Sequence, residues 1–346
     1  MCRISFIVPA FNVEKYIKKC VEEILKIEHF EIEVIVVNDG STDKTLTQLE
    51  NIKDRRLKII SQCNQGVSVA RNNGLKNALG DYIFFIDADD KLRSKQLEKY
   101  LFNINFDMDL YMFSYCVRKK RKIKKVALPL DEGIYSAKDA KQLSFYLYDV
   151  QFSKNYKSKY FGGKVYQYLF SRKFLIENDI YFPIGINFAE DCIFCFHVFQ
   201  NVKCFQVNSE CLYEYSVYDD SASHKYRSNL WEELTLAYNI ANDISGDKLS
   251  NRNEIFFFYG NEVIRRAVMN FLSFKKRNVA ISKIRQVLND QEYQLALRDM
   301  KYDNWTIKER FMLILCRNKK IKLIYFIFWL KINLKSRMKY VANIFK

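Results

Sequence analysis

Three aspartates stand within four residues directly after an apolar run, and this grouping is the part of the sequence best suited to chemistry. The run spans residues 82–86, and Asp87, Asp89 and Asp90 follow it. Carboxylates this close together repel one another unless another group compensates their charge. Because hard cations prefer carboxylate oxygens, the grouping indicates a cation site.

Polar residues also follow three earlier apolar runs of strand length. They form the segments Pro9–Asn12, Asn38–Gly40 and Asn64–Gly66, which come after the runs 4–8, 33–37 and 57–61. Ordinary turn and helix-capping roles are the alternative explanation for Asn38 and Gly40. Such roles do not account for three acids in the fourth cluster.

The elements that must position these residues are alternating strands and helices. Val13, Ile17, Cys20, Val21 and Ile24 recur at helical spacing between the first two apolar runs, and similar patterns follow the second and third. This alternation predicts an α/β fold with a mostly parallel sheet that carries helices on both faces. Ligands of such sheets bind beyond the carboxyl ends of the strands, where the polar segments fall.

Two common nucleotide-binding classes are excluded by their missing loops. The sequence has no Gly-x-Gly-x-x-Gly after the first strand and no Gly-x-x-x-x-Gly-Lys-Ser/Thr. The phosphates of a bound nucleotide would then need a metal and a basic side chain. Arg71, in the helix predicted after the third strand, is the available cation.

Four motifs in order make the chain resemble the family-2 inverting glycosyltransferases of bacterial surface-polysaccharide synthesis. They are ISFIVPAFNVEKYI (4–17), VNDGSTD (37–43), NQGVSVARNNGL (64–75) and GDYIFFIDADD (80–90). The resemblance implies a GT-A fold, a UDP-sugar donor, and Mn²⁺ or Mg²⁺ as cofactor.

The same resemblance implies a role for each matching residue. Asp89 would bind the metal, and Asp39 would accept a hydrogen bond from the uracil N3–H. The residues implied to bind the nucleotide sugar are Pro9, Ala10, Phe11, Asp39, Arg71, Asp87 and Ala88. For Asp90 the alternative is a cap of the following helix.

An inverting transfer also needs a base that takes a proton from the acceptor hydroxyl. The family carries a Glu-Asp pair at the point where this chain has Glu190 and Asp191. The resemblance implies Asp191 as the base and Glu190 as its orienting or acceptor-binding partner. Taken alone, two acids at a helix N-terminus could equally be capping residues.

Two further segments resemble family motifs and depart from them. In FGGKVYQYLF (161–170), Lys164 and Tyr166 keep the pattern, whereas Gly162 and Gly163 replace a Trp-Asn pair, so the acceptor or donor-sugar pocket is expected to differ. In YEYSVYDDSASH (213–224), Ser216 replaces an arginine. His224 is either a diphosphate contact or an ordinary surface histidine.

The net charge of +16 is concentrated in two segments. Seven of the eight residues from 118 to 125 are basic, in a predicted hairpin tip, and residues 307–346 hold eleven basic residues and one acid. The second segment mixes these charges with apolar stretches that suit an anionic membrane interface. A helical hairpin with solvated lysines and a dimerisation module are the alternatives.

These observations predict a catalytic domain over residues 1–227 and a helical region over 228–346. Nine cysteines without a repeated spacing indicate a reducing compartment, and Cys192 and Cys195 are expected to pack in the core. The amino-terminal apolar run is too short for a signal peptide, and no stretch suits a membrane-spanning helix. We therefore expect a cytoplasmic enzyme, peripheral on the inner face of a bacterial membrane.

The expected partners are a nucleotide sugar, an oligosaccharide or glycolipid acceptor, anionic membrane, and a second copy in a homodimer. A polyprenyl-phosphate glycosyltransferase and a non-catalytic basic binding protein are the alternative functions. Nucleic acid is not an expected partner, because the basic residues lie beside apolar runs and outside any recognisable binding motif.

Overall fold

The computed structural model describes residues 3–120, 122–126, 128, 130–146, 163–217, 228–246, 252–271, 277–298, 300 and 306–344. The chain divides into two compact units. One comprises Met1–Ser221 and Leu236–Asp247, and the other comprises Ala222–Thr235 and Lys248–Lys346.

The first four strands of unit one form the parallel sheet predicted from the apolar runs. They are β1 (Arg3–Ala10), β2 (Glu31–Asp39), β3 (Leu57–Gln62) and β4 (Tyr82–Phe85), in the order β3-β2-β1-β4. Helices α1 (Ile17–Ile24), α2 (Thr45–Glu50) and α3 (Val67–Asn77) connect them. All four strands therefore end at the same edge of the sheet.

The remaining strands make the full sheet mixed. They are β5 (Lys91–Leu92), β6 (Leu110–Lys119), β7 (Lys122–Val126), β8 (Gly133–Ser136), β9 (Tyr168–Ser171) and β10 (Cys204–Ser216). β9 pairs antiparallel with both β4 and β6, and β6 pairs parallel with β10. β5 and β8 pair antiparallel with β10, and β7 forms the predicted hairpin with β6.

Helices cover both faces of this sheet because alternate strand residues enter two separate cores. In β1, Phe6 packs in the core beside α1 and α4 (Ser94–Leu101), and Ile7 packs in the core beside α3. The second core also receives α5 (Ala137–Tyr146), α6 (Arg172–Glu177) and α7 (Glu190–Asn201). A period of two that is apolar on both faces is typical of a fully covered sheet.

The second unit is helical, as the sequence predicts. The carboxyl-terminal helices are α8 (Leu230–Ser245), whose second half belongs to unit one, α9 (Arg252–Asn270), α10 (Arg277–Asn289), α11 (Gln291–Arg298), α12 (Ile307–Arg317) and α13 (Ile321–Ile344). A Cβ at Gly260 would meet the Tyr293 ring at 2.4 Å, so α9 packs closely on α11. Within the described residues, no helix has the length and apolar character needed to cross a bilayer.

Candidate active site

The carboxyl ends of β1 and β2 lie side by side and carry four of the predicted nucleotide-sugar residues. Ala10 pairs in register with Asn38, which precedes Asp39. Ala10 is buried, Pro9 is partly exposed, and the Phe11 side chain is 48% exposed just beyond the strand. Phe11 therefore offers an open aromatic surface next to a buried acid.

Asp39 is buried and holds the start of α3 in place. Its carboxylate accepts hydrogen bonds from the Gln65 and Gly66 N–H groups, both at 2.9 Å, and from Gln62 Nε2 at 2.8 Å. Gly66 has a φ of +92°, a conformation that favours glycine. The Asn-Gln-Gly segment and the Asn-Asp-Gly segment are thus one hydrogen-bonded unit.

Arg71, on α3, lies at the centre of the site and binds three carboxylates. Its Nη2 is 2.8 Å from Asp87 Oδ1, and its Nη1 is 2.5 Å from Asp191 Oδ1 and 3.4 Å from Glu190 Oε1. The side chain is only 4% exposed, and its guanidinium carbon lies 5.0 Å from the centre of the Phe182 ring. Burial disfavours its charge, yet the carboxylates raise the pKa of Arg71 above its ordinary value.

Glu190 and Asp191 begin α7, after a left-handed residue at Ala189 (φ 70°). The Asp191 side chain is 22% exposed, and that of Glu190 is 15% exposed. Burial raises the pKa of Asp191 well above its ordinary value; Arg71 opposes this shift, and the negative charge of Glu190 adds to it. A raised pKa suits a carboxylate that must accept a proton near neutral pH.

The three aspartates after β4 have three different environments. Asp87 is bound by Arg71, and Asp90 accepts a hydrogen bond from the Tyr213 hydroxyl and one from the Ser216 N–H, both at 2.7 Å. The alternative role for Asp90, a cap of the next helix, is wrong, because α4 begins after Arg93 and Asp90 is 6% exposed and hydrogen-bonded to β10. Asp90 therefore stabilises the site through its hydrogen bonds to Tyr213 and Ser216.

Asp89 is the aspartate of this cluster that fits a cation. Burial and the neighbouring Asp87 charge raise its pKa to about 6, a strain that a bound cation would relieve. Across the described residues, no three potential metal-ligating side chains come together. Asp89 and the nearby Asp87 could offer one or two carboxylates to a divalent cation that completes its shell with substrate phosphates and water.

Lys164 and Tyr166 lie under the site in an aromatic stack. The Tyr166 ring stacks on Tyr213, with ring centres 4.3 Å apart and an interplanar angle of 6°. Lys164 Nζ donates a 2.7 Å hydrogen bond to the Tyr115 hydroxyl, and burial lowers the Lys164 pKa to about 8. Both residues are largely enclosed, so they shape the floor of the site. His224 and Gly162 lie outside the described residues.

Gly163 explains part of the departure from the family motif. A Cβ at this position would meet Cys192 Cα at 2.5 Å and the Asp191 carbonyl oxygen at 2.8 Å. The backbone before the β9 strand thus packs directly on the first turn of α7. No larger residue could stand here unless the Glu190–Asp191 pair moved.

Several residues that hold the site together were not identified from the sequence. Tyr213 bridges Asp90 and the Asp87 N–H, the latter at 3.1 Å, and Asn72 exchanges two hydrogen bonds with the Phe182 backbone. Their partners are 110 or more positions away. Strand pairing positions Tyr213, and the Asn72–Phe182 contact joins α3 to the loop after α6, so local sequence patterns reveal neither.

The cysteines differ in part from the sequence expectation. Cys195 packs in the core as expected, whereas Cys192 is only partly exposed at the start of α7 and does not belong to the core cluster. Burial raises the pKa of Cys192 to about 11. Cys116 and Cys211 form a disulfide between β6 and β10, a pairing that was not predicted when the cysteine spacing was interpreted as a sign of a reducing compartment.

Comparison with protein families and with sequenced relatives points to a single class of enzyme. Residues 5–166 match the family described as glycosyl transferase family 2. The uncharacterized glycosyltransferase EpsJ of Bacillus subtilis (strain 168) is 29% identical over 238 residues, which cover 68% of this chain and 67% of EpsJ. Glycosyltransferase GlyA of Streptococcus pneumoniae is 38% identical over 116 residues, 33% of this chain and 17% of GlyA.

A solved structure shows the same fold. Residues 1–349 of S. aureus TarS, crystallised with UDP-GlcNAc, match with a TM-score of 0.62 at 22% identity, over 93% of this chain and 89% of that one. The predicted GT-A fold is therefore confirmed for this chain.

Proposed function

We propose that this chain, whose residues 5–166 match glycosyl transferase family 2, is a glycosyltransferase that moves a sugar from a UDP-sugar to an acceptor hydroxyl with inversion. Residues 1–227 would catalyse the reaction. Residues 228–346 would form a helical region that binds the membrane or mediates dimerisation. The acceptor would be a lipid-linked or cell-surface oligosaccharide of capsule, lipooligosaccharide or exopolysaccharide synthesis.

The observation that carries the proposal is the bridge made by Arg71. It links Asp87, on the edge where a donor diphosphate would lie, to Asp191, the acid available as base. The buried guanidinium of Arg71 thus fixes the distance between Asp87, at the donor edge, and Asp191. Fixing reacting groups in this way removes much of the entropic barrier to transfer.

The donor end is supported by the geometry of β1 and β2. Phe11 can cover the face of a base, and Asp39 is fixed at its edge with carboxylate oxygens as acceptors. TarS, which shares the fold, was crystallised with UDP-GlcNAc. A UDP-sugar is therefore the donor class that we propose.

Asp89, with Asp87 beside it, would hold Mn²⁺ or Mg²⁺ against the donor diphosphate. When bound, such a cation stabilises the charge that develops on the departing UDP. The oxygen-only donors and the raised Asp89 pKa support this assignment.

The acceptor end depends on Asp191. Its carboxylate would accept the proton of the acceptor hydroxyl as the new glycosidic bond forms, and Glu190 would orient the acceptor. Burial raises the pKa of this carboxylate well above its ordinary value, and Arg71 opposes that shift. A raised pKa makes the Asp191 carboxylate a stronger base for the acceptor proton.

Enzyme purified with Mn²⁺ or Mg²⁺ and offered a panel of UDP-sugars tests the proposal through UDP release. Asp89→Ala should abolish metal-dependent UDP binding in calorimetry. Asp191→Asn should retain UDP binding and lose transfer by about a hundredfold or more. Asp131→Asn, a change at an exposed acid of the same unit, is the matched control. Unchanged binding in the first variant, or full transfer in the second, would overturn the assigned role.

Transfer to polyprenyl phosphate is the second candidate, because the basic segments suit an anionic acceptor. A phosphate oxygen is already ionised and needs no base. Asp191→Asn would then keep its activity with polyprenyl phosphate and lose it with a hydroxyl acceptor, so assays with both acceptors separate the two functions.

A further inference from the structure

The last described helix exposes a continuous apolar stripe. On α13, Leu323, Phe326, Leu330 and Leu334 are 42%, 51%, 40% and 52% exposed. At about 100° per residue, their spacing of three, four and four places them within a sector of about 80°. Large apolar side chains at this spacing form one surface.

The opposite side of α13 already serves the fold of unit two. Ile324, Tyr325 and Phe328 are 0%, 6% and 8% exposed. The guanidinium of Arg277 lies 5.4 Å from the centre of the Tyr325 ring, which fastens α13 to α10. Packing within the unit therefore does not require the exposed stripe.

Lysines border the stripe on both sides. At about 100° per residue, Lys322 lies about 80° from the centre of the stripe on one side, and Lys331 lies about 100° from it on the other. Both side chains are exposed. The sequence from 321 to 344 contains no Asp or Glu. An apolar strip between two cationic margins matches the chemistry of an anionic bilayer surface, with acyl chains below and phosphates above.

The preceding helix repeats this pattern. Ile307, Phe311 and Ile314 of α12 are 87%, 50% and 53% exposed and lie on one face. Lys308 and Arg310 are exposed on either side of that face. A second copy of the chain is a poorer occupant for such a surface, because lysines at both margins would meet lysines of the other copy.

We propose that the exposed stripe of α13, with its bordering lysines Lys322 and Lys331, lies flat in the interface of an anionic phospholipid bilayer. The leucines and Phe326 would enter the acyl boundary, and the lysines would bind lipid phosphates. The inference deepens the proposed function, because an acceptor carried in the membrane requires the enzyme at that surface.

Vesicle flotation of the full chain tests the inference without reference to catalysis. Vesicles of phosphatidylcholine with about one third phosphatidylglycerol should carry the protein upward, and pure phosphatidylcholine should carry much less. The double variant Phe326→Gln/Leu330→Gln should lower the vesicle partition coefficient about tenfold or more. Lys322→Gln/Lys331→Gln should lower it only on the anionic vesicles.

Leu79→Gln/Ile184→Gln is the matched control, since these side chains are 65% and 68% exposed, more than Phe326 and Leu330, but lie in unit one. It should float like the unmodified chain, and every variant should bind UDP equally. Equal flotation of the Phe326→Gln/Leu330→Gln variant would overturn the proposal. A second result would also overturn it: the unmodified chain sediments as a dimer, and this variant alone is monomeric yet floats as well as before. The stripe would then bind a second copy of the chain. Neither result would bear on the proposed transfer reaction.

Discussion

Arg71 Nη1 lies 2.5 Å from Asp191 Oδ1, although the two residues are 120 positions apart in the chain. The same guanidinium also binds Asp87, at the end of β4, while Asp191 stands at the start of α7. Three carboxylates around one buried cation would repel one another strongly without it. Arg71 therefore holds together the two sides of the proposed site.

The first prediction concerns the replacement Arg71→Met. It leaves Asp87, Glu190 and Asp191 without their counter-charge, and breaking a buried ion pair from one side costs about 3–5 kcal/mol. We expect a loss of unfolding free energy of this size in urea denaturation at neutral pH, together with a loss of transfer activity.

Arg55→Met is the matched control, because Arg55 is exposed in the same unit, and this change should leave stability within about 0.5 kcal/mol. In the Arg71→Met background, Asp191→Asn should restore part of the lost stability, since it removes one uncompensated charge. Additive losses from the two changes would contradict the ion pair.

The edge of the sheet that carries Asp39, Asp87 and Asp89 could be predicted from the sequence. Apolar runs of strand length alternate with helical patterns, and parallel strands end at a common edge, so local signals are sufficient there. The Glu190–Asp191 pair was identified by its resemblance to a family motif. Its contact with Arg71 was not predicted, because helix spacing says nothing about which distant acid a buried arginine meets.

The support beneath the site could not be predicted. Asp90 depends on Tyr213 and Ser216 of β10, a strand that pairs parallel with β6 and antiparallel with β5. Such pairings depend on long-range register, which short apolar runs do not specify. For the same reason, the glycine at position 163 indicated only a departure from a motif, although it marks a close contact with α7.

The second prediction tests the bridge made by Tyr213. Tyr213→Phe removes the hydroxyl that donates to Asp90 and accepts from the Asp87 N–H. A buried polar group that loses its partner costs about 1–3 kcal/mol. We expect this loss in thermal or urea unfolding, and weaker UDP binding because the Asp87–Asp89 loop is less fixed.

Tyr100→Phe is the control for this change. The Tyr100 hydroxyl is buried in the same unit and, within the described part of the chain, has no hydrogen-bond partner. Removing it should be neutral or slightly stabilising. An equal loss of stability in both variants would show that the bridge contributes nothing specific.

The third prediction is a pH dependence that arises from Lys164. Its pKa is about 8 in the folded protein and 10.5 in the ordinary case. Between these values the unfolded chain binds more protons than the folded one, so this group makes the unfolding free energy rise with pH from about 8 to 10.5. Below pH 8 both states are protonated, and its contribution is flat.

Lys164→Met isolates this contribution. We expect the unfolding free energy of the unmodified chain, minus that of the variant, to increase through this window in urea denaturation series. Titrating groups that do not interact with Lys164 cancel in the difference, whereas Cys192, whose pKa the Lys164 charge lowers, adds to the difference in the same direction. A difference that does not change with pH would mean that Lys164 is not buried as described.

The last prediction concerns Gly163. In Gly163→Ala the new methyl group would meet Cys192 Cα at 2.5 Å, which is backbone and cannot turn aside. The first turn of α7 must then shift, and Asp191 with it, so we expect transfer to fall about a hundredfold while UDP binding changes little.

Gly185→Ala is the control, because Gly185 has a left-handed φ of +84° but an added Cβ there would meet no atom within 4 Å. It should lose about 1 kcal/mol of stability and keep its transfer rate. If the two variants transfer sugar at equal rates, the close contact at Gly163 does not determine the position of Asp191.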